Sequence, residues 1–383
     1  MRSRVRSYIG TGVQVAIGRK LVVLGNPERI YLDHAATTPM LPEAQLAVSA
    51  AMEAWANPSS PHADGRRARA AFEDARRSIA KALGWRHDVI LTSGASEGVQ
   101  IAASRAKVAR RMVGATEHEV VPAAMGPDSI ILRVDGKGLV DLAELEQELK
   151  AGPALVAIQI ANNETGVIQP IELIQNLVRQ TGSLLLADCA QGAGKIVLPE
   201  VDFASVSAHK FGGPPGVGAL LVRDLETLEP SGGQERGYRR GTENWPSTAG
   251  MAAALSTRAF VEAMPRLEQL RRSLEQEIVA AGGVVIGAGA PRIATIGNYA
   301  MPGVASASQL IQFDLAGISI SAGSACSSGS MKPSRVLMAM GVPEELAGTV
   351  IRVSFGEGTS KADIERFLDV WRDIHNRAKA RAA

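Results

Sequence analysis

Lys210 closes the stretch Ser207-Ala208-His209-Lys210, which follows the apolar run 203–206 and precedes Phe211-Gly212-Gly213-Pro214-Pro215-Gly216. A lysine at the end of a buried strand is costly unless it is paired or used covalently. Covalent use means a Schiff base with an aldehyde, a reaction suited to a desolvated amine of depressed pKa. Asp188 ends Leu184-Leu185-Leu186-Ala187-Asp188 in the same manner, at the edge where open α/β sheets bind their ligands. Upstream, Ile90-Leu91-Thr92-Ser93 gives way to Gly94-Ala95-Ser96-Glu97-Gly98 and then to an apolar stretch, 99–103, that can be helical. That order sets free backbone N–H groups and a hydroxyl at a helix N-terminus, a cup for a phosphate. Each feature has an ordinary alternative, a helix cap for the Gly-Ala-Ser turn and a bare capping carboxylate for Asp188. Together they meet the three needs of pyridoxal phosphate: an amine for the aldehyde, a carboxylate for the pyridinium nitrogen and a phosphate site.

Cys326 lies in Ser321-Ala322-Gly323-Ser324-Ala325-Cys326-Ser327-Ser328-Gly329-Ser330, a stretch too small and polar to be core. An exposed cysteine on such a loop is better suited to nucleophilic or redox use than to packing. Cys189, beside Asp188 at a strand end, reads instead as a small core residue. Arg352 alternates with apolar residues in Ile351-Arg352-Val353-Ser354-Phe355. Facing a pocket it would grip a carboxylate with two parallel hydrogen bonds; facing solvent it would be an ordinary strand arginine. His118, after Gly114-Ala115-Thr116-Glu117, is placed to stack on a ring or relay a proton. His34 also stands out, whereas His62, His87 and His375 fall in polar surroundings. No His, Cys and Asp spacing repeats a zinc pattern, so no metal is expected.

The elements that must position these residues alternate short apolar runs with longer helical patterns from Tyr31 onward, as a sheet with crossover helices does. Residues 89–92, 154–160, 183–187, 203–206 and 219–222 read as buried parallel strands. Residues 66–83 read as an amphipathic helix, as do 266–281 and 361–380 beyond the alternating region. The expected organisation is a large cofactor domain over 41–261 and a smaller domain made of 1–40 and 262–383, which carries the cysteine loop at about 321–334. Residues 1–27 hold five basic residues and no acid. Their glycines and the alternation of Val13, Val15 and Ile17 favour an N-terminal arm over an organellar presequence. The 383 residues are 46% hydrophobic and carry a net charge of only +2, so no nucleic-acid footprint is visible. Apolar runs such as 154–161 are far shorter than the roughly 18 residues of a membrane span. Two cysteines exclude a disulfide framework and point to a reducing cytoplasm.

Taken in order, the motifs resemble the cysteine desulfurases of the class V aminotransferase family, in the branch with a long catalytic loop. The match runs from Tyr31 to about Phe367. It is carried by Tyr31-Leu32-Asp33-His34-Ala35-Ala36-Thr37-Thr38-Pro39, Asn57-Pro58-Ser59-Ser60, Thr92-Ser93-Gly94-Ala95-Ser96-Glu97, Glu117-His118 and Asn162-Asn163-Glu164-Thr165-Gly166-Val167. Further along come Asp188-Cys189-Ala190-Gln191, Ser207-Ala208-His209-Lys210, Arg239-Arg240-Gly241-Thr242, Gly323-Ser324-Ala325-Cys326-Ser327-Ser328 and Ile351-Arg352-Val353-Ser354.

The resemblance implies an α/β fold, that of the type I pyridoxal-phosphate transferases, with a mostly parallel seven-stranded sheet flanked by helices and a smaller α+β domain. It implies that Lys210 holds pyridoxal phosphate, with Asp188 on the ring nitrogen, Gln191 on the ring hydroxyl and His118 stacked on the ring. Ala95, Ser96, Ser207 and His209 would hold the phosphate, Thr242 reaching in from the partner of a homodimer. Asn163 and Arg352 would position cofactor and substrate carboxylate. The implied reaction turns L-cysteine into L-alanine and leaves the sulfur on Cys326 as a persulfide, for a sulfur-acceptor protein that the sequence does not identify and, through it, for iron-sulfur clusters or other thio-cofactors. A selenocysteine lyase is the alternative with the same electron flow. A plain class V aminotransferase shares the lysine, aspartate and cup but has no use for Cys326. Neither a nucleic acid nor a membrane is an expected partner.

Overall fold

The structure, a computed structural model, describes residues 29–322 and 334–382. The N-terminal arm read at residues 1–27 and the segment around Cys326 lie outside the described residues. The strands are β1 (Ile30–Tyr31), β2 (Asp88–Thr92), β3 (Arg110–Gly114), β4 (Ile130–Leu132), β5 (Ala154–Gln159), β6 (Leu184–Asp188), β7 (Phe203–Ser207), β8 (Gly218–Val222), β9 (Val284–Val285), β10 (Ile296–Ala300), β11 (Ile318–Ser319) and β12 (Val350–Ser354). The helices are α1 (Pro42–Glu53), α2 (Ala63–Ala82), α3 (Ala95–Arg105), α4 (Val120–Met125), α5 (Leu142–Leu149), α6 (Ile171–Gln180), α7 (Trp245–Ser256), α8 (Ala259–Ala280), α9 (Ser306–Leu315), α10 (Arg335–Ala339), α11 (Glu344–Ala347) and α12 (Lys361–Ala382).

Seven strands form one sheet in the order β2-β8-β7-β6-β5-β3-β4. Strands β5, β6 and β7 are buried along their length apart from Asp188 at the tip, as expected where helices cover both faces of parallel strands. Neighbours from β7 through β4 pair in parallel. The expectation of parallel strands fails at β8, which is antiparallel to both β7 and β2. The cause is the connection 208–217, which is too short for a helical crossover and is closed by the Ala208 N–H donating to the Val217 carbonyl at 3.1 Å. The chain must therefore turn back beside β7.

The smaller α+β domain holds a three-stranded sheet, β12-β10-β9, and the parallel pair β1-β11. Helices α8, α9 and α12 cover it through Leu267, Leu274, Phe313, Phe367 and Trp371, all fully buried. Phe313 and Phe367 stack with centroids 4.7 Å apart, a contact that adds about 1 kcal/mol to their area burial. Helix α8 starts at Ala259, seven residues before the start at 266 expected from the sequence, and runs through Pro265. Phe260 packs in the core of the large sheet and Ala263 and Leu267 in the smaller one, and this burial on both sides of Pro265 offsets its missing N–H. His375 is a second correction: α12 buries it rather than leaving it in polar surroundings.

Candidate active site

The catalytic-type residues come together because strand ends do. Gln159 pairs with Asp188, and Asp188 with Ser205, across neighbouring parallel strands. Lys210 follows one short turn beyond β7, in the 3-10 segment Ala208–Lys210. Strand β2 brings Thr92 opposite Gly218 of β8, and β7 brings Ser207 opposite the same glycine from the other side. A Cβ on Gly218 would lie 2.3 Å from the Val206 carbonyl oxygen and 2.7 Å from the Gly94 Cα. Only glycine lets the turn that opens α3 approach so closely.

A cavity of about 420 Å³ opens at this edge, lined among others by Gly94, Ala95, Ser96, His118, Asn163, Asp188, Gln191, Ser207, His209 and Lys210. The structure thus gathers most of the residues expected from the sequence. Helix α3 begins at Ala95 with no side chain capping it, so its first N–H groups are free for an anion. Glu97, one turn in, accepts from the Ser93 N–H at 2.5 Å and from Arg239 Nε at 3.0 Å. Partial burial opposes its ionisation, but these partners hold its carboxyl below the usual range.

The cavity's polar groups are sparsely paired. Among the described residues the Lys210 amine donates only to the Ala35 and Ala36 carbonyls, at 2.7 and 2.9 Å. Burial, with Arg352 adding to it against the pull of Asp188 and Asp33, lowers it to about 8. The Asp188 carboxyl accepts from the Ala190 N–H at 2.9 Å. Burial raises its pKa despite that bond and despite His118 and Lys210. Gln191 gives its Nε2 to the Ala35 carbonyl at 2.9 Å, while its buried Oε1 has no partner among the described residues. His209 holds Thr37 Oγ1 at 3.1 Å, and burial and the nearby lysines lower it to about 4. This donor set fits pyridoxal phosphate. The uncapped helix start and the Ser96 and Ser207 hydroxyls suit a phosphate, Gln191 Oε1 offers a free acceptor for a ring hydroxyl, Asp188 suits a ring nitrogen and Lys210 an aldehyde.

Two expected residues do not line this cavity. Thr242 is exposed. Arg352 is buried, donating from Nη2 to Asp33 Oδ1 at 2.8 Å and from Nη1 to the Asn163 carbonyl at 3.0 Å. Cys326 lies outside the described residues. His34 is buried and also stands apart from the cavity lining, its Nδ1 3.3 Å from Thr38 Oγ1; burial and then Lys195 lower it to about 4.

The sequence reading passed over three groups beside the site. Glu117 is fully buried and accepts from the Gln159 N–H at 2.6 Å; burial pushes its carboxyl well up. Lys195, with its Nζ 5.1 Å from the centre of the Phe260 ring, is lowered to about 7 by burial and by Lys210. Glu164 accepts from the Ser334 hydroxyl at 2.6 Å, and burial raises it to about 7. Glu117 and Glu164 lie inside quoted motifs but were given no role there, and for Lys195 the one available signal was a charged residue between Gly194 and Ile196, which also describes ordinary loops.

The family model described as aminotransferase class V matches residues 30–367. The chain belongs to the class V aminotransferase family. Within it, this class V chain is 37% identical over 370 residues to the cysteine desulfurase IscS of Dictyoglomus turgidum, covering 89% of this chain and 93% of that protein. A NifS-like protein from Rickettsia africae has the same fold, with a TM-score of 0.85, 31% identity and coverage of 91% of this chain and all of the other. A structure of SspA in complex with cysteine superposes with a TM-score of 0.73 and 27% identity over 86% of this chain and all of that one.

Proposed function

We propose that this class V chain is a cysteine desulfurase that uses pyridoxal phosphate, converts L-cysteine to L-alanine and passes the sulfur to Cys326 as a persulfide. The observation that carries the reading is the convergence of the Lys210 amine, the Asp188 carboxyl and the uncapped start of α3 on one cavity, in a chain whose relatives are cysteine desulfurases. The SspA structure with bound cysteine supports the choice of substrate.

When bound, the cofactor supplies an electron sink for charge developing at the substrate Cα. The residues have separate tasks. The α3 N–H groups, Ser96, Ser207 and His209 hold the phosphate; Asp188 keeps a proton on the ring nitrogen; Gln191 and Asn163 fix the ring's orientation, and His118 covers its face. Lys210 holds the cofactor between turnovers and, as a free amine of depressed pKa, moves the Cα proton of the substrate. Arg352 anchors the substrate carboxylate. The Cys326 thiolate attacks the substrate sulfur, the C–S electron pair stays with carbon, and a proton added there completes alanine. The persulfide then goes to a sulfur-acceptor protein on the way to iron-sulfur clusters or other thio-cofactors. The working unit is a cytoplasmic homodimer in which the exposed Thr242 serves the neighbouring site.

The test is the visible absorbance of the purified protein with alanine and sulfide release from L-cysteine and dithiothreitol, comparing wild type with Cys326→Ala. Cofactor absorbance in both and turnover in wild type alone is the expected result. Normal turnover by Cys326→Ala overturns the persulfide route, and absence of cofactor absorbance overturns the role of Lys210.

A further inference from the structure

Among the described residues, Arg352 is held through its backbone and through both Nη atoms. Its backbone bridges to Ser321, the Arg352 N–H donating at 2.7 Å and the Ser321 N–H returning a bond at 3.2 Å. Its guanidinium, 8% exposed, gives Nη1 to the Asn163 carbonyl and Nη2 to Asp33 Oδ1. Only Nε is left buried with no partner among the described residues. Both Nη bonds oppose a swing of the guanidinium toward an incoming carboxylate. The carboxylate must come to it, beside Asp33 or in its place, and two carboxylates on one cation repel each other.

Asp33 is the more accessible member of the pair, with its side chain 20% exposed. It opens the turn whose Ala35 and Ala36 carbonyls hold Lys210 and whose Ala35 carbonyl also takes Gln191. The Asp33 carbonyl and that of Thr37 both accept from the Tyr31 hydroxyl, at 3.3 and 3.0 Å. This short turn therefore supplies acceptors to three of the groups assigned to cofactor and substrate, and for Arg352 the acceptor is itself a carboxylate.

We propose that Asp33 is a specificity-determining residue, its carboxylate occupying on Arg352 the place of an amino acid's α-carboxylate and setting substrate and product affinity by competition. The inference rests on the reading of Arg352 as the substrate-carboxylate ligand. It follows that Asp33 neutralises the buried guanidinium between turnovers and helps to expel alanine, which carries the same carboxylate as the substrate.

The experiment uses the cofactor-loaded enzyme and Asp33→Asn. The KM for L-cysteine and the inhibition constant of L-alanine are expected to fall together, by roughly three- to tenfold. The affinity for cysteamine, which has the amine and thiol but no carboxylate, is read from the change in cofactor absorbance and is expected to stay put. Constants for cysteine and alanine that stay put or rise, in a variant with wild-type absorbance and circular dichroism, overturn the proposal and make Asp33 a structural counterion. If Asp33→Asn does not fold, Asp33→Glu carries the test by moving the charge along a longer arm. Competition requires the L-cysteine and L-alanine constants to shift while cysteamine affinity holds, and a change in neither or in all three overturns it. A wild-type enzyme that releases no alanine from L-cysteine would instead sink the desulfurase reading, a result separate from any of these.

Discussion

Two sets of buried charges in the large domain are treated in opposite ways. Under α2, the Arg76 guanidinium meets Glu235 Oε1 at 2.9 Å, Glu73 Oε2 at 2.9 Å and the Val89 carbonyl at 2.7 Å. Glu235 Oε2 in turn accepts from Arg76 and from the Leu91 N–H. Burial alone would lower Arg76, but these partners drive its pKa upward. At the strand ends, by contrast, Lys210, Asp188 and Glu117 have few hydrogen bonds and all move toward their neutral forms. A charge that only supports the fold is paired until it is fixed, whereas the groups gathered at the strand ends are left underpaired, and burial shifts their protonation.

Lys210→Ala should break the chemical side of this contrast most severely. Turnover measured as alanine release should fall by at least about 10³-fold and the cofactor's visible band should be lost. Asp188→Asn should retain the cofactor and lose on the order of 10²-fold in kcat, since a neutral amide cannot hold the ring proton by charge; single-turnover spectra would check this. On the structural side, Arg76→Met should leave the buried Glu235 without its cation. Only Glu235 is left buried and uncompensated, since the part-exposed Glu73 keeps Arg69 at 3.3 Å; that should lower stability by about 3–5 kcal/mol in urea titrations while kcat, measured below the transition, stays unchanged.

The smallest effect concerns pH. Glu164 is raised to about 7, chiefly by burial, against the Ser334 hydrogen bond and the Arg352 charge. The folded chain therefore keeps this proton after the unfolded chain has released it. Its contribution to stability is fully present below the ordinary glutamate range and is lost as pH rises from there to about 7. Glu164→Gln should remove that decline, a difference of about 1–3 kcal/mol between the ends of the window in paired denaturation series.

The cofactor half was legible because a polar residue that ends an apolar run betrays itself. Asp188 after three leucines and Lys210 after 203–206 could scarcely sit elsewhere. Strand direction was not legible, since the apolar run at β8 reads identically both ways and only the short 208–217 connection settles it. The Asp33–Arg352 pair was also out of reach: each residue lies in a quoted motif, but nothing local joins positions 319 apart. His375 was missed for a related reason, since the turn at Gly282 that lies 3.5 Å from its ring, measured to an ideal Cβ, belongs to a distant stretch of chain.

That separation has a bearing on how the molecule is made. As the chain leaves the ribosome, β2 through β8 can complete the cup, Asp188 and Lys210 while β12 is still unsynthesised. A nascent chain at that stage has the groups for the cofactor but not the guanidinium for the substrate. Cofactor capture can therefore precede competence for chemistry during biosynthesis, and the amino-acid site is among the last features to be assembled.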